Sequence, residues 1–294
     1  MPTSQDPTDP YRHDSPWRRV AAAVFAAPTD ARLSVTVDVD VTEATRYLHQ
    51  ERAPGVRLGL VHLVAAAIAR TIADDVPAMN TYLHRGRVRA KRSLTVLLTA
   101  KAPGRDALTE VRLPDAHLQA ASDLAASARA AMQHLRTPKG KRALTKTYAL
   151  AKVPWLLRRP TFKALRGLAM GAGLPLDAFD LAPESFGTVV LSEVGRFKHR
   201  AAPFWTRSVD GPLVPAAQGT TVVWLMEPRS MPVADGGEVV LRTCAPISAT
   251  FDHRLVDGRH VGAFFSGVAR RLQEPAQLNE AATGRVKVEM AARV

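Results

Sequence analysis

Phe251-Asp252-His253-Arg254-Leu255-Val256-Asp257-Gly258 is the stretch on which the fold of this 294-residue chain turns. It sets an imidazole, His253, four residues before a carboxylate, Asp257, with Gly258 directly after and a second carboxylate, Asp252, directly before. Histidine is the side chain whose ordinary pKa lies nearest neutrality, so it can act as a general base without a metal. Residues 246–265 read as a strand and then a helix, which places His253 in the connection between them. At average residue usage a bare H-x-x-x-D-G string arises by chance in roughly two chains of this length in a hundred. The longer D-H-R-x-x-D-G is rarer by about two to three orders of magnitude, and that rarity makes the motif specific.

Working outward, residues 33–41 alternate without a slip, apolar at odd positions and polar at even ones, which is a strand with one buried face. Thr42 can cap the helix that follows, with Glu43 in its first turn. Leu60, Leu63, Val64, Ala67, Ile68 and Ile72 fall at helical spacing and predict a helix over 58–75 with a buried face. Residues 93–100 read as a strand, and 118–135, alanine-rich without Pro or Gly, as a helix. Further strands are expected at 187–192, 220–226, 239–243 and 247–251. A last helix runs from about His260 to Leu272, with Pro275 beyond its end. The mixed order of strands and helices predicts a layered α/β domain.

The composition, 46% hydrophobic and 23% charged, is that of a globular protein. No run of about 18 apolar residues offers a bilayer span, and the polar start shows no secretory leader, so a cytoplasmic location is expected. The single cysteine, Cys244, excludes an internal disulfide and a thiolate metal cluster; a buried structural thiol and no metal are expected. Residues 1–16, with Pro2, Pro7, Pro10 and Pro16, read as a disordered lead, and 17–294 as one domain.

The net charge of +13 is concentrated. Between Leu124 and Leu176 there is no Asp or Glu, while Arg136, Lys139, Lys141, Arg142, Lys146, Lys152, Arg158, Arg159, Lys163 and Arg166 stand there. No zinc-finger or aromatic RNA-binding signature accompanies them, so nucleic acid is not expected as a partner. Residues 136–176 read as a helical basic insertion that Pro154 and Pro160 break into short helices. One reading packs it on the domain with a solvated face; the other lets 138–172 dock on anionic lipid or an acidic carrier protein.

The string Asp252-His253-Arg254-Leu255-Val256-Asp257-Gly258 resembles the active-site signature of the 2-oxo acid dehydrogenase dihydrolipoamide acyltransferases, which share the chloramphenicol acetyltransferase fold. Three stretches are similar to that family in the same order: 33–41 with Thr42-Glu43-Ala44; 61–80, a long helix ending at a P-x-x-N turn; and Gly187-Thr188-Val189-Val190-Leu191-Ser192-Glu193-Val194-Gly195. The resemblance covers about residues 17–275 apart from the basic insertion, which replaces a short link, and only the His motif is specific by itself.

The resemblance implies a chloramphenicol acetyltransferase-like mixed-sheet layered α/β domain, a homotrimer, and acyl exchange between the thiols of coenzyme A and dihydrolipoamide. A thiol of pKa ~8.5 is mostly protonated at neutral pH and needs a base; the resemblance gives that role to His253 and the hydrogen bond to the oxyanion to Ser192. These two would come from neighbouring subunits. Asp257 would pair with an arginine of the first helix region, Arg18 or Arg19, and hold the His-bearing loop, while Gly258 would supply a backbone conformation or close approach that a side chain blocks. Asp252 and Arg254 are expected in local ion pairs and His260 at the helix start. The sixteen-residue lead leaves no room for a lipoyl domain, so the expectation is a catalytic module that uses coenzyme A as substrate and meets a lipoyl group or acyl carrier in trans. One alternative is an amide- or ester-forming enzyme of the H-H-x-x-x-D-G group, against which Asp252 occupies the place of the first His. Another is a non-catalytic scaffold that binds a partner through the insertion.

Overall fold

The strand that leads into the His motif is the spine of the sheet. The computed structural model describes residues 31–50, 58–84, 87–103, 108–140, 154–168, 186–194, 206–211, 213 and 221–281. Within them β9 (Glu238–Asp252) runs for 15 residues and pairs along both edges. On one edge lies β1 (Arg32–Asp40), antiparallel, from Arg32 opposite Asp252 to Asp40 opposite Cys244. On the other lie β8 (Arg229–Asp235), joined by a Gly236-Gly237 turn, and then β7 (Thr221–Met226). The sheet continues through β6 (Val189–Val194) and β4 (Val96–Lys101), both parallel to β7, to antiparallel β5 (Leu108–Leu113). It is therefore a mixed sheet in the order β1-β9-β7-β6-β4-β5. A separate hairpin is made by β2 (Thr81–His84) and β3 (Arg87–Ala90).

The sequence reads β9 as two strands, yet it passes through Pro246 unbroken. The bond from Val41 N to the Thr243 carbonyl fixes which β9 residues point their amides at β1. Counting by twos from it, Pro246 lies in a non-bonded pair with Asp38 and faces the opposite edge. There β9 changes partner, pairing with β8 up to Cys244 and with β7 from Ile247. The missing proline N–H falls in that gap, so the ladder loses no bond.

The helices cover one face. They are α1 (Thr42–Gln50), α2 (Leu60–Asp74), α3 (Ala121–Arg136), α5 (Gly258–Gln273) and the short α6 (Pro275–Leu278), of which α2 packs on α3 and α5; α4 (Trp155–Arg166) is not part of this layer. The alternation of β1 is realised: Leu33, Val35, Val37 and Val39 turn to this layer, and Ser34 and Thr36 to the other face. In α2 burial extends beyond a stripe, because Leu63 to Ala69, Thr71 and Ile72 are all enclosed. Alanines at 65, 66, 67 and 69 keep that helix narrow between its neighbours.

Two local readings need correction. Thr42 is not a simple cap: its hydroxyl donates to Asp40 Oδ1 at 2.6 Å and accepts the Thr243 amide at 3.0 Å, tying α1 to β9. Pro160 does not break the insertion; it lies inside α4, where its missing N–H leaves the Leu156 carbonyl without that helical partner. The lead 1–16, Arg18, Arg19 and much of the insertion (141–153 and 169–176) lie outside the described residues.

The P-x-x-N turn and the glycine-threonine strand meet in space. Thr188 Oγ1 donates to Asn80 Oδ1 at 2.6 Å, and the buried Lys91 ammonium donates to the Gly187 carbonyl. Gly187 has φ +60°, and a Cβ there would stand 3.0 Å from the Thr95 carbonyl oxygen and 3.0 Å from Leu97 Cγ. Left-handed backbone costs an L-residue ~1–2 kcal/mol before any clash. Gly187→Ala should therefore lower the unfolding free energy by about 2 kcal/mol, seen as an earlier urea midpoint at unchanged slope.

Candidate active site

The turn that carries His253 is fixed from both ends. Phe251, fully buried at the close of β9, meets Phe264 and Phe265 of α5 edge-on at 5.5 and 6.2 Å between ring centres. Such pairs add ~0.5–1.5 kcal/mol each to simple burial. Next comes Asp252, 4% exposed. Its Oδ1 accepts the Arg254 amide at 3.1 Å and Arg254 Nε at 2.8 Å, and its Oδ2 accepts Arg254 Nη2 at 2.5 Å. Backbone bonds from Leu255 and Val256 to the Asp252 carbonyl, at 2.9 and 3.2 Å, complete the turn. Among the described residues, the carboxylate that braces the His-bearing turn is thus Asp252, neutralised by its own motif's arginine.

His253 is exposed on that turn, with Nδ1 2.8 Å from the carbonyl oxygen of buried Val256. A carbonyl can only accept, so Nδ1 carries the proton and the neutral ring keeps its lone pair on Nε2. That is the form a general base requires, with the basic nitrogen directed away from its anchor.

Asp257 is the N-cap of α5. Its carboxylate accepts the amides of Arg259 and His260 at 3.0 and 3.3 Å, and His260 Nδ1 lies 2.9 Å from the same oxygen. The His260 amide chiefly holds the Asp257 carboxyl below the usual carboxylate range. Nδ1 of His260 is also 3.2 Å from the Asp257 amide, and it cannot both accept there and donate to the carboxylate. The shorter contact favours the proton on Nδ1. Arg18 and Arg19, the partners expected for Asp257, lie outside the described residues. At Gly258, the first residue of α5, a Cβ would meet nothing within 4 Å and φ is not positive. Neither ground expected for that glycine applies within one chain.

Ser192 sits half-buried on β6, on the sheet face away from the helices, and its Oγ accepts a hydrogen bond from Thr99 Oγ1 of β4 at 2.9 Å. Strand register puts it in one row with Trp224 of β7, Ser248 of β9 and Thr36 of β1. Thr36 and Ser248 share a 2.7 Å bond, and Ser248 also accepts the Val209 amide at 3.0 Å. Thr99 carries no sequence motif; only the register reveals it.

The structure does not bring His253 and Ser192 together. His253 lies five residues along β9 from Ser248, and Ser192 two strands to the side. At ~3.4 Å per residue and ~4.8 Å per strand, their backbones are roughly 20 Å apart. Side-chain reach cannot close that distance on one substrate atom. Cys244 offers no second centre: it is buried, and burial pushes its thiol up. A cavity of about 370 Å³ lies elsewhere, between the ends of α2, α5 and α6, lined by paired charges such as Arg271 with Asp74. No group of three potential metal ligands occurs among the described residues.

Comparison with known proteins bears first on the fold. The fold is shared with a chloramphenicol acetyltransferase at a TM-score of 0.50 and 15% identity, covering 83% of this chain and 89% of that one. It is also shared with the dihydrolipoamide acetyltransferase of Azotobacter vinelandii, at 0.60 and 19% identity, covering 85% and 84%. Residues 214–279, which contain the His motif, match the family described as 2-oxoacid dehydrogenases acyltransferase (catalytic domain). That match covers less than a quarter of the chain, the part that ends β9 and carries the His motif into α5. A 47-residue stretch is 47% identical to the dihydrolipoyllysine-residue acetyltransferase component of the acetoin cleaving system of Bacillus subtilis (strain 168). That match spans 16% of this chain and 12% of the relative.

The two carboxylates of the motif separate by experiment. Asp252→Ala should cost about 2 kcal/mol, by removing the buried carboxylate that accepts three bonds from Arg254, and should speed hydrogen exchange at Arg254, Leu255 and Val256. Asp257→Ala should speed exchange only in the first turn of α5, leaving the His-bearing turn protected.

Proposed function

We propose that the protein is an acyltransferase that moves an acyl group between coenzyme A and a thiol acceptor of the dihydrolipoamide kind. The observation that carries this reading is His253 with its Nδ1 committed to the Val256 carbonyl, inside the stretch that matches the acyltransferase family. Nε2 takes the proton of the incoming thiol as its sulfur attacks the thioester carbonyl. The carbonyl oxygen becomes an oxyanion and receives a hydrogen bond from the Ser192 hydroxyl, where one such donor is worth ~3 kcal/mol. Collapse breaks the original carbon–sulfur bond, and the imidazolium returns its proton to the departing thiolate. Thr99 assists: by donating to Ser192 Oγ it occupies a lone pair there and leaves the serine proton free for the oxyanion.

The separation of His253 and Ser192 supports a site assembled from two chains, and the family resemblance favours a homotrimer. In the Azotobacter protein, a serine, a histidine and an asparagine have been investigated for their part in catalysis, the last two being four positions apart. His253 and Asp257 have the same spacing. The net charge of +13 suits the phosphates of coenzyme A. A lipoyl group or other acyl carrier would come in trans, and free thiols as reactants suit the cytoplasm. No helix among the described residues is long and apolar enough to cross a membrane.

Acyl transfer from a panel of acyl-coenzyme A thioesters to free dihydrolipoamide tests the chemistry. His253→Ala should lose at least about a hundredfold of turnover and Ser192→Ala a similar factor. Co-refolding equal amounts of the two variants should restore about a quarter of wild-type activity, because a sound His then meets a sound Ser at one interface in four. Wild-type silence across the panel would sink acyl transfer to a dihydrolipoamide thiol; turnover with no recovery on mixing would sink the two-chain site.

Thr99→Val should lower kcat about fivefold with KM unchanged, and should do nothing further in a Ser192→Ala background. An additive loss in the double variant would show that Thr99 does not act through Ser192.

A further inference from the structure

We propose that α4, with the leucine just past its end, forms a docking surface for an anionic lipid bilayer, separate from acyl transfer. α4 shares no extensive contact with any other described element. Three leucines face outward while Leu165 is half-buried: Leu156 is 67% exposed, Leu157 57%, and Leu168, two residues past the helix end, 45%. Leu157, Ala164 and Leu168 are spaced by seven and then four residues, which puts them on one side of the helix, and all three are exposed. Scattered surface leucines would need no account. These form a stripe within a segment that has ten Lys and Arg between Arg136 and Arg166 and no acid from Leu124 to Leu176.

A basic sequence without acids, interleaved with exposed leucines, is the composition of helices that lie in the plane of a bilayer interface. Other occupants fit one half of the surface only. A nucleic acid would satisfy the cations and leave the leucines wet. A second copy seated helix against helix would set this acid-free basic segment against its own like. An acidic protein would need its own apolar groove for the leucine stripe, whereas an anionic leaflet supplies headgroup charge and acyl chains together. α4 has 12 residues, about 18 Å of helix at 1.5 Å per residue, too short for a hydrocarbon core of ~30 Å. It lies on the membrane and does not span it.

The test is co-sedimentation of the full chain with phosphatidylcholine vesicles and with vesicles containing about 30% phosphatidylglycerol. The protein should sediment with the second and not the first, and raising salt should release it. Replacing Leu156, Leu157 and Leu168 together by Ser should weaken binding at least about tenfold while acyl transfer to a soluble thiol stays unchanged. Arg158→Glu with Arg159→Glu should abolish it. Equal binding to both vesicle types, or an unaltered leucine variant, would overturn the proposal. So would capture by an acidic protein with none by anionic vesicles.

Discussion

Two-sided pairing of β9 constrains everything else. β1 holds it over nine residue pairs, while β8 and β7 divide the opposite edge. In such a strand a slip of one residue would turn Val35 and Val37 out of the core and Ser34 and Thr36 into it. The register is therefore set by burial, and the end of the strand with it. Phe251 then anchors that end against two rings of α5, so the turn beyond it inherits a fixed origin. His253 is exposed on a small turn, yet every bond that orients it leads back to a buried group: the Asp252 carboxylate, the Val256 carbonyl, the Phe251 ring.

The two faces of the sheet have different work. The helix-covered face is aliphatic and supplies stability. The other carries Thr99, Ser192, Trp224, Ser248 and Thr36 in one row, with hydroxyl bonds joining Thr99 to Ser192 and Ser248 to Thr36. A hydroxyl held by a neighbour's hydroxyl has its free proton aimed before any substrate arrives. In a charge-stabilising site that spares reorganisation at the moment of reaction. His253 shows the same economy, since one carbonyl selects its tautomer.

How much of this was legible depended on range. The D-H-R-x-x-D-G motif, the alternation of 33–41 and the helical spacing of 58–75 are local signals, and the elements formed where they pointed. β2, β3, β5 and β8 are short, carry weak alternation and exist because a partner strand waits for them, so no local pattern announced them. Pro246 looked like a strand break because its harmlessness rests on a change of partner along β9. Of the candidate site, His253, Ser192, Asp257 and Gly258 could be proposed from the string, but Asp252's bracing of the turn was hidden. An Asp beside an Arg in sequence does not say which of them is buried. Thr99, 93 residues from Ser192, could be found only through the sheet.

The roughly 20 Å between His253 and Ser192 has a consequence for how such a protein is switched on. If each centre takes its halves from two chains, catalysis appears only above the concentration at which chains associate, and dilution extinguishes it without unfolding anything. Newly made chain would stay silent until enough had accumulated. A copy that failed to fold would spoil two centres, because each chain lends one half to each of two. Gene dosage, not only catalytic quality, would then set the output of the cell.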